Sequence, residues 1–134
     1  MTVQYSAAVK NAKLDAWETT IGTSAILKLR TGSMPVLITD ASSGTVVSTI
    51  NLPSDWMNPA SGGVKAKSGT WQDTSADNSG TIGHYEITAT DGSTVHERGT
   101  YTLTAGGGDM TGDATVVTAG QTITITAFSK TGGN

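Results

Sequence analysis

Gly83-His84-Tyr85-Glu86-Ile87, the turn Asp91-Gly92 and the return Val95-His96-Glu97-Arg98-Gly99 form the stretch whose reading decides the fold. Across residues 80–90, Tyr85, Ile87 and Ala89 recur at every second position, the period of a strand with one face buried. Asp91-Gly92 tolerates the positive φ of a type I′ turn, so a hairpin is predicted. A strict two-residue loop sets Ile87 opposite His96 and Glu86 opposite Glu97, a like-charge pair that disfavours the register. Moving the register by one residue sets Ala89 opposite Val95 and Tyr85 opposite Gly99, which suits a core better. A three-residue loop or a bulge just after Gly92 is therefore expected. Ser68-Gly69-Thr70-Trp71-Gln72-Asp73 leads into this hairpin, and Gly106-Gly107-Gly108 follows it as a glycine-rich crossing.

Working outward, residues 5–21 predict one helix. Ser6 is the N-cap, Ala7, Leu14, Trp17 and Ile21 form the apolar stripe, and Gly22 ends the helix in the left-handed conformation. Lys10, Lys13 and Glu18 fall mostly off that stripe. Trp17 is expected to pack the helix onto a sheet rather than to anchor a partner. The period then changes to that of short strands, at 25–29, 45–52, 64–71, 80–90, 99–104, 113–117 and 121–128, with Val36-Leu37-Ile38 following Pro35. Turn chemistry separates them at intervals of roughly ten residues. The fold class expected is mainly β: a β-sandwich or flattened barrel of about eight short antiparallel strands with one N-terminal α-helix packed on it. All 134 residues form a single domain, its strands lying within 25–128 and residues 129–134 forming a frayed tail.

Composition narrows the function classes. The 36% hydrophobic content is too high for a disordered chain, and a net charge of −3 with eight scattered Lys and Arg leaves no basic field for nucleic acid. Cysteine is absent, which removes disulfides and thiolate metal sites. No stretch approaches the ~20 apolar residues of a membrane-spanning helix, and no secretory signal is visible, so no membrane partner is expected. His84 and His96 are the only histidines and could approach one another across the hairpin, with Glu86 or Glu97 as the further ligand a metal needs. Strand histidines of a polar hairpin are more often solvated or locally hydrogen bonded, and no metal or other cofactor is expected. Asp73 with Asp77 and Asp109 with Asp113 lack the spacing of a calcium loop and read as turn formers. No phosphate loop, Gly-x-Ser-x-Gly elbow or other nucleophile assembly is present, so no catalytic residues are assigned.

Residues 54–63 carry Trp56, Met57 and Asn58 between prolines and glycines. Two readings stand side by side: these side chains close an open end of the core, or with Trp71 they form a contact surface for a neighbouring subunit. Trp56, Met57, Asn58 and Trp71 are the candidate interface residues. A third reading takes Trp56 and Trp71 as stacking platforms of a carbohydrate-binding module.

Three blocks carry a resemblance. The first runs from Asn11-Ala12-Lys13-Leu14-Asp15-Ala16-Trp17-Glu18 to Leu27-Lys28-Leu29-Arg30-Thr31-Gly32. The second joins Leu52-Pro53-Ser54-Asp55-Trp56 to Gly69-Thr70-Trp71-Gln72-Asp73 and Gly83-His84-Tyr85. The third links Asp91-Gly92, Gly108-Asp109-Met110-Thr111 and Ala119-Gly120-Gln121 to Ile123-Thr124-Ile125-Thr126-Ala127-Phe128. Together they resemble small β-rich virion structural proteins of tailed bacteriophages, encoded near the capsid and head–tail genes. The resemblance implies a structural part of the bacteriophage virion without settling which part. The lack of cysteine, the neutral-to-acidic surface, the short strands and the apolar loop favour a capsid decoration (cement) protein that binds the major capsid protein lattice or copies of itself. A neck, tail or tail-tip component is the alternative. It implies synthesis in the bacterial host cytoplasm and residence in the virion, and it supplies no catalytic residues.

Overall fold

The computed structural model describes residues 3–133. Its elements in chain order are helix α1 (Ala7–Ile21) and strands β1 (Ile26–Thr31), β2 (Val46–Asn51), β3 (Val64–Ala66), β4 (Gln72–Asp73), β5 (Gly80–Thr88), β6 (Val95–Leu103), β7 (Met110–Gly112), β8 (Val116–Val117) and β9 (Ile123–Thr131). The strands form one sheet in the order β2-β1-β5-β6-β7-β9-β3, with β4 on β9 and β8 on β5. The sheet curls into a half-barrel, which makes the chain mainly β with a single helix packed on it, as its sequence predicts. A hydrogen bond of 2.6 Å from the Ser48 hydroxyl to Asp73 ties β2 to β4.

The central hairpin uses both registers that its sequence allows. Next to the turn Thr88 faces Val95, the two-residue register; beyond it Ile87 faces Glu97, Glu86 faces Arg98 and Tyr85 faces Gly99. His96 is the extra residue between them, so the bulge lies inside β6 and not beside Gly92. It removes the like-charge pair and sets Glu86 opposite an arginine. A second bulge at Gly83, where Arg30 pairs with His84 but Thr31 with Ile82, lets Ile82 and Tyr85 both point into the core. A Cβ at Gly83 would sit 2.0 Å from the Gly32 carbonyl oxygen, so only glycine fits there.

The glycine-rich crossing breaks another expectation. β6 and β7 pair in parallel, Tyr101 with Met110, across a link of only residues 104–109. Parallel neighbours normally need a far longer connection. Here the chain doubles back tightly because Gly106 and Gly108 lie against Thr102, where added Cβ atoms would come within 2.7 and 2.9 Å of it, and Gly107 takes φ 84°. The remaining ladders are antiparallel.

Ser6 caps α1 by accepting the Val9 N–H. Gly22 ends it with φ 96° and ψ 176°, a glycine conformation outside the left-handed helical region expected of it. Leu14 and Ile21 are buried, Trp17 packs beside them, and Ala7 stays exposed. Polar side chains add anchors that the apolar stripe does not reveal. The ammonium of Lys65, buried on β3, lies 2.7 Å from Asp15 and 2.8 Å from Glu18. Burial opposes that charge, but the hydrogen bonds to the two carboxylates outweigh it, so the Lys65 pKa is raised and the ion stays charged.

Residues 129–131 are not frayed. Ser129, Lys130 and Thr131 extend β9 and pair with β3, and beyond them the Gly132 N–H reaches the Gly63 carbonyl while Lys13 caps the Gly132 carbonyl. A short polar end looks loose by composition, but a waiting edge strand satisfies its backbone. Asn134, the last residue of that expected tail, lies outside the described residues. Val36-Leu37-Ile38 belongs to no strand, and residues 32–45 form an irregular segment between β1 and β2.

Leu14→Asp places a carboxylate in the helix–sheet contact without a cationic partner. Its cost should exceed the ~2–5 kcal/mol of a buried Leu→Ala change. Urea unfolding followed by circular dichroism should show a collapsed midpoint; an unchanged midpoint would contradict this placement of α1.

Candidate functional site

The two faces of β5 carry different chemistry. Tyr85 and Ile87 point into the half-barrel; His84, Glu86 and Thr88 point the other way and yet are buried. The Thr88 hydroxyl bonds the Ile26 and Ala89 carbonyls. Over His84 and Glu86 lies the segment 32–45, which crosses the outer face of β1, β5 and β6 as a strap. Glu86 lies at its centre. Its carboxylate accepts hydrogen bonds from Arg30 on β1, Arg98 on β6 (2.8 Å) and the strap hydroxyl of Ser42 (2.7 Å). Burial alone would raise the Glu86 pKa, but Ser42, Arg98 and Arg30 together hold it below the usual carboxylate range.

Arg98 uses all five of its N–H donors. Nε meets Glu86, Nη1 meets the Leu37 and Ile38 carbonyls at 3.1 and 3.2 Å, and Nη2 meets the Asp40 carbonyl and the Ser42 hydroxyl at 3.1 and 3.3 Å. Arg30 reaches the Gly44 carbonyl, and His84 donates from Nδ1 to the Gly32 carbonyl at 2.9 Å. The strap also closes on itself, since Asp40 accepts the Leu37 N–H and its own N–H returns to the Leu37 carbonyl.

With its backbone held inward by ions and hydrogen bonds, the strap turns its apolar side chains out. Val36 is 93% exposed, Leu37 58% and Ile38 49%, with Met34 beside them. Val116 and Leu103 are exposed elsewhere, but the strap sets its apolar side chains side by side as a crest. Contiguous apolar surface of this kind marks contact sites. Here the crest is also held in one conformation, which lowers the ordering entropy of docking.

The residues singled out by sequence lie elsewhere. Trp56, Met57 and Trp71 are fully buried, so neither a subunit contact surface nor a pair of stacking platforms exists at those side chains. The reading in which residues 54–63 close the core is the correct one for Trp56 and Met57. Trp17, Trp56, Trp71, Phe128 and Tyr85 form one connected cluster, with ring centroids 5.2 to 6.2 Å apart. Both buried indole N–H groups are satisfied, Trp56 by the Gly22 carbonyl and Trp71 by the Ser68 carbonyl. Asn58 is exposed, and its amide donates to the Lys67 carbonyl.

His84 faces Thr100 across the hairpin and His96 occupies the exposed bulge, so the histidines are not brought opposite one another. The acidic pairs part company too. Asp73 takes Ser48 and the Ser75 N–H, Asp77 takes Thr49, Asp109 takes Thr100, and Asp113 takes the Thr124 N–H. Among the described residues no group of three or more His, Asp and Glu side chains is arranged to hold a metal, and no helix is long and apolar enough to cross a membrane. Glu97 is the other charged hub, taking Tyr85 (2.7 Å), Trp17 (3.1 Å) and Lys130 (2.8 Å); burial, then the Glu97 charge, push the Tyr85 pKa up.

Two open clefts accompany these features. One of about 310 Å³ lies between Glu18, Gly22, Thr23 and Asp55, and one of about 330 Å³ between Asp109, Lys130 and Thr131. Among the described residues no Ser or Thr hydroxyl is hydrogen-bonded to a histidine.

Sequence reasoning missed the strap cluster. The shifted hairpin register already sets Glu86 opposite Arg98, which was a sign available in the sequence; Ser42 and Arg30 could be joined to it only by the tertiary fold. No family model, curated protein or solved structure matches the chain.

Trp56→Ala should lower stability by about 3–5 kcal/mol, the usual loss for a large aromatic core residue. Denaturant unfolding of the isolated protein checks this, and a loss confined to partner binding would instead make Trp56 an interface residue.

Proposed function

We propose that the chain is a structural docking module whose contact element is the strap crest Met34, Val36, Leu37 and Ile38. Taken with the resemblance described above, this reads as a decoration (cement) protein on the capsid of a tailed bacteriophage, binding the major capsid protein lattice. One observation carries the reading: large apolar side chains face solvent from a segment whose backbone is pinned by a buried ionic cluster. A loop with no task would turn those side chains inward and leave the charges in water. A small crest suffices on a repeating shell, because many weak contacts made in parallel accumulate avidity. The net charge of −3 and the lack of a basic stripe are in keeping with a protein partner rather than nucleic acid.

The double variant Val36→Asp/Leu37→Asp tests this. Added to heads assembled without the protein, it should co-sediment at least about tenfold more weakly than the parent, since desolvating two carboxylates at an apolar contact is unfavourable. Its melting temperature should stay unchanged, because neither side chain is part of the core. Full retention on heads would retire the crest as the contact element.

A further inference from the structure

We infer that the strap is a latch locked by the Glu86 cluster, a unit that opens independently of the half-barrel and so controls whether the crest is presented. This rests on the reading of the crest as the contact element, and it adds how that element is held. The anchors described above are polar: Arg98 to three strap carbonyls, Ser42 to Glu86, Arg30 to the Gly44 carbonyl and His84 to the Gly32 carbonyl. None of the crest side chains belongs to the buried apolar core, which occupies the opposite face of β1 and β5. Strap and core therefore share the strands but not a packing interface. Local opening of such segments, at a free energy below that of global unfolding, is the expected behaviour of an element with few buried apolar contacts.

Glu86 is the keystone. Without its charge Arg98 and Arg30 become buried cations lacking their counter-ion, and the guanidinium that holds three carbonyls loses its own fixed point. The charged and titratable groups around Glu86 are Lys28 and Arg30 on β1, Arg98 on β6, His84 on its own strand and Asp40 in the strap. Of these, Lys28 is committed to the Gly92 carbonyl and Asp40 to the Leu37 N–H. Because the Glu86 pKa is depressed, the latch is fully set above the ordinary carboxylate range. It is lost only as pH falls through the lower, folded-state value.

Amide exchange measured by NMR on the isolated protein decides the matter. Asp40, whose N–H bonds the Leu37 carbonyl that Arg98 also holds, reports on the strap, and Leu52 and Ile125, whose N–H groups bond the Ala25 and Trp71 carbonyls, report on the core. Glu86→Gln should speed strap exchange by about tenfold or more while core exchange lags behind. Should Glu86→Gln fail to fold, Arg98→Lys keeps a cation beside Glu86 but cannot span three carbonyls, and the same split is expected. In the parent protein, exchange corrected for intrinsic rates should rise in the strap before the core as pH falls below the usual carboxylate range. Strap and core losing protection together, or a strap unchanged in Arg98→Lys, would overturn the latch. Heads added to Arg98→Lys separate the two ideas. Weaker binding with a released strap supports both; undiminished binding with a released strap removes the crest reading and the control of its presentation, and leaves only the independent opening of the strap.

Discussion

Burial of one aromatic cluster underlies the whole molecule. The three tryptophans, the single phenylalanine and Tyr85 meet inside the half-barrel, and they come from α1, from the segment after β2, from the approach to β4, from β5 and from β9. Such rings bury more apolar surface than any other side chains and are the dominant source of core energy. No pair of neighbouring elements could form this cluster alone. The helix must dock, the loop 54–63 must fold in and β9 must run its full length before the rings touch. The last residues of β9 are ordered by that closure and by β3, even though their own composition is polar.

A filled interior has a consequence on the outer face. Once Tyr85 and Ile87 are committed to the core, strand geometry sends His84, Glu86 and Thr88 the opposite way. A carboxylate there could remain in solvent, but the chain covers it and supplies two guanidinium groups and a hydroxyl. Breaking such a buried ion cluster is expensive, whereas its net contribution to stability over an apolar replacement is small. Its value lies in position: it fixes the course of residues 32–45, so that apolar side chains stand out from the surface in a single arrangement.

The charged groups of the helix follow a similar logic. Asp15 and Glu18 converge on Lys65, and Glu97 gathers Trp17, Tyr85 and Lys130, so each ionic group near the core is matched by donors or counter-ions from another element. These pairings join segments distant in sequence. Among the described buried side-chain polar atoms, His84 Nε2 is left without a partner.

By itself the sequence determined the β class, the single helix with its Ser6 cap and the hairpin about Asp91-Gly92, and it favoured without fixing the pairing of Tyr85 with Gly99. Each of these follows from period, turn chemistry or capping, which act over a few residues. Tertiary structure alone decided that Trp56, Met57 and Trp71 are core while Val36, Leu37 and Ile38 are surface, because burial depends on what the rest of the chain lays on top. It also decided that the central hairpin strands bulge at Gly83 and His96, and that β6 and β7 run parallel. Glu86, Arg30, Arg98 and Ser42 lie far apart along the chain, and only the curled sheet with the strap across it brings their charges within hydrogen-bonding reach.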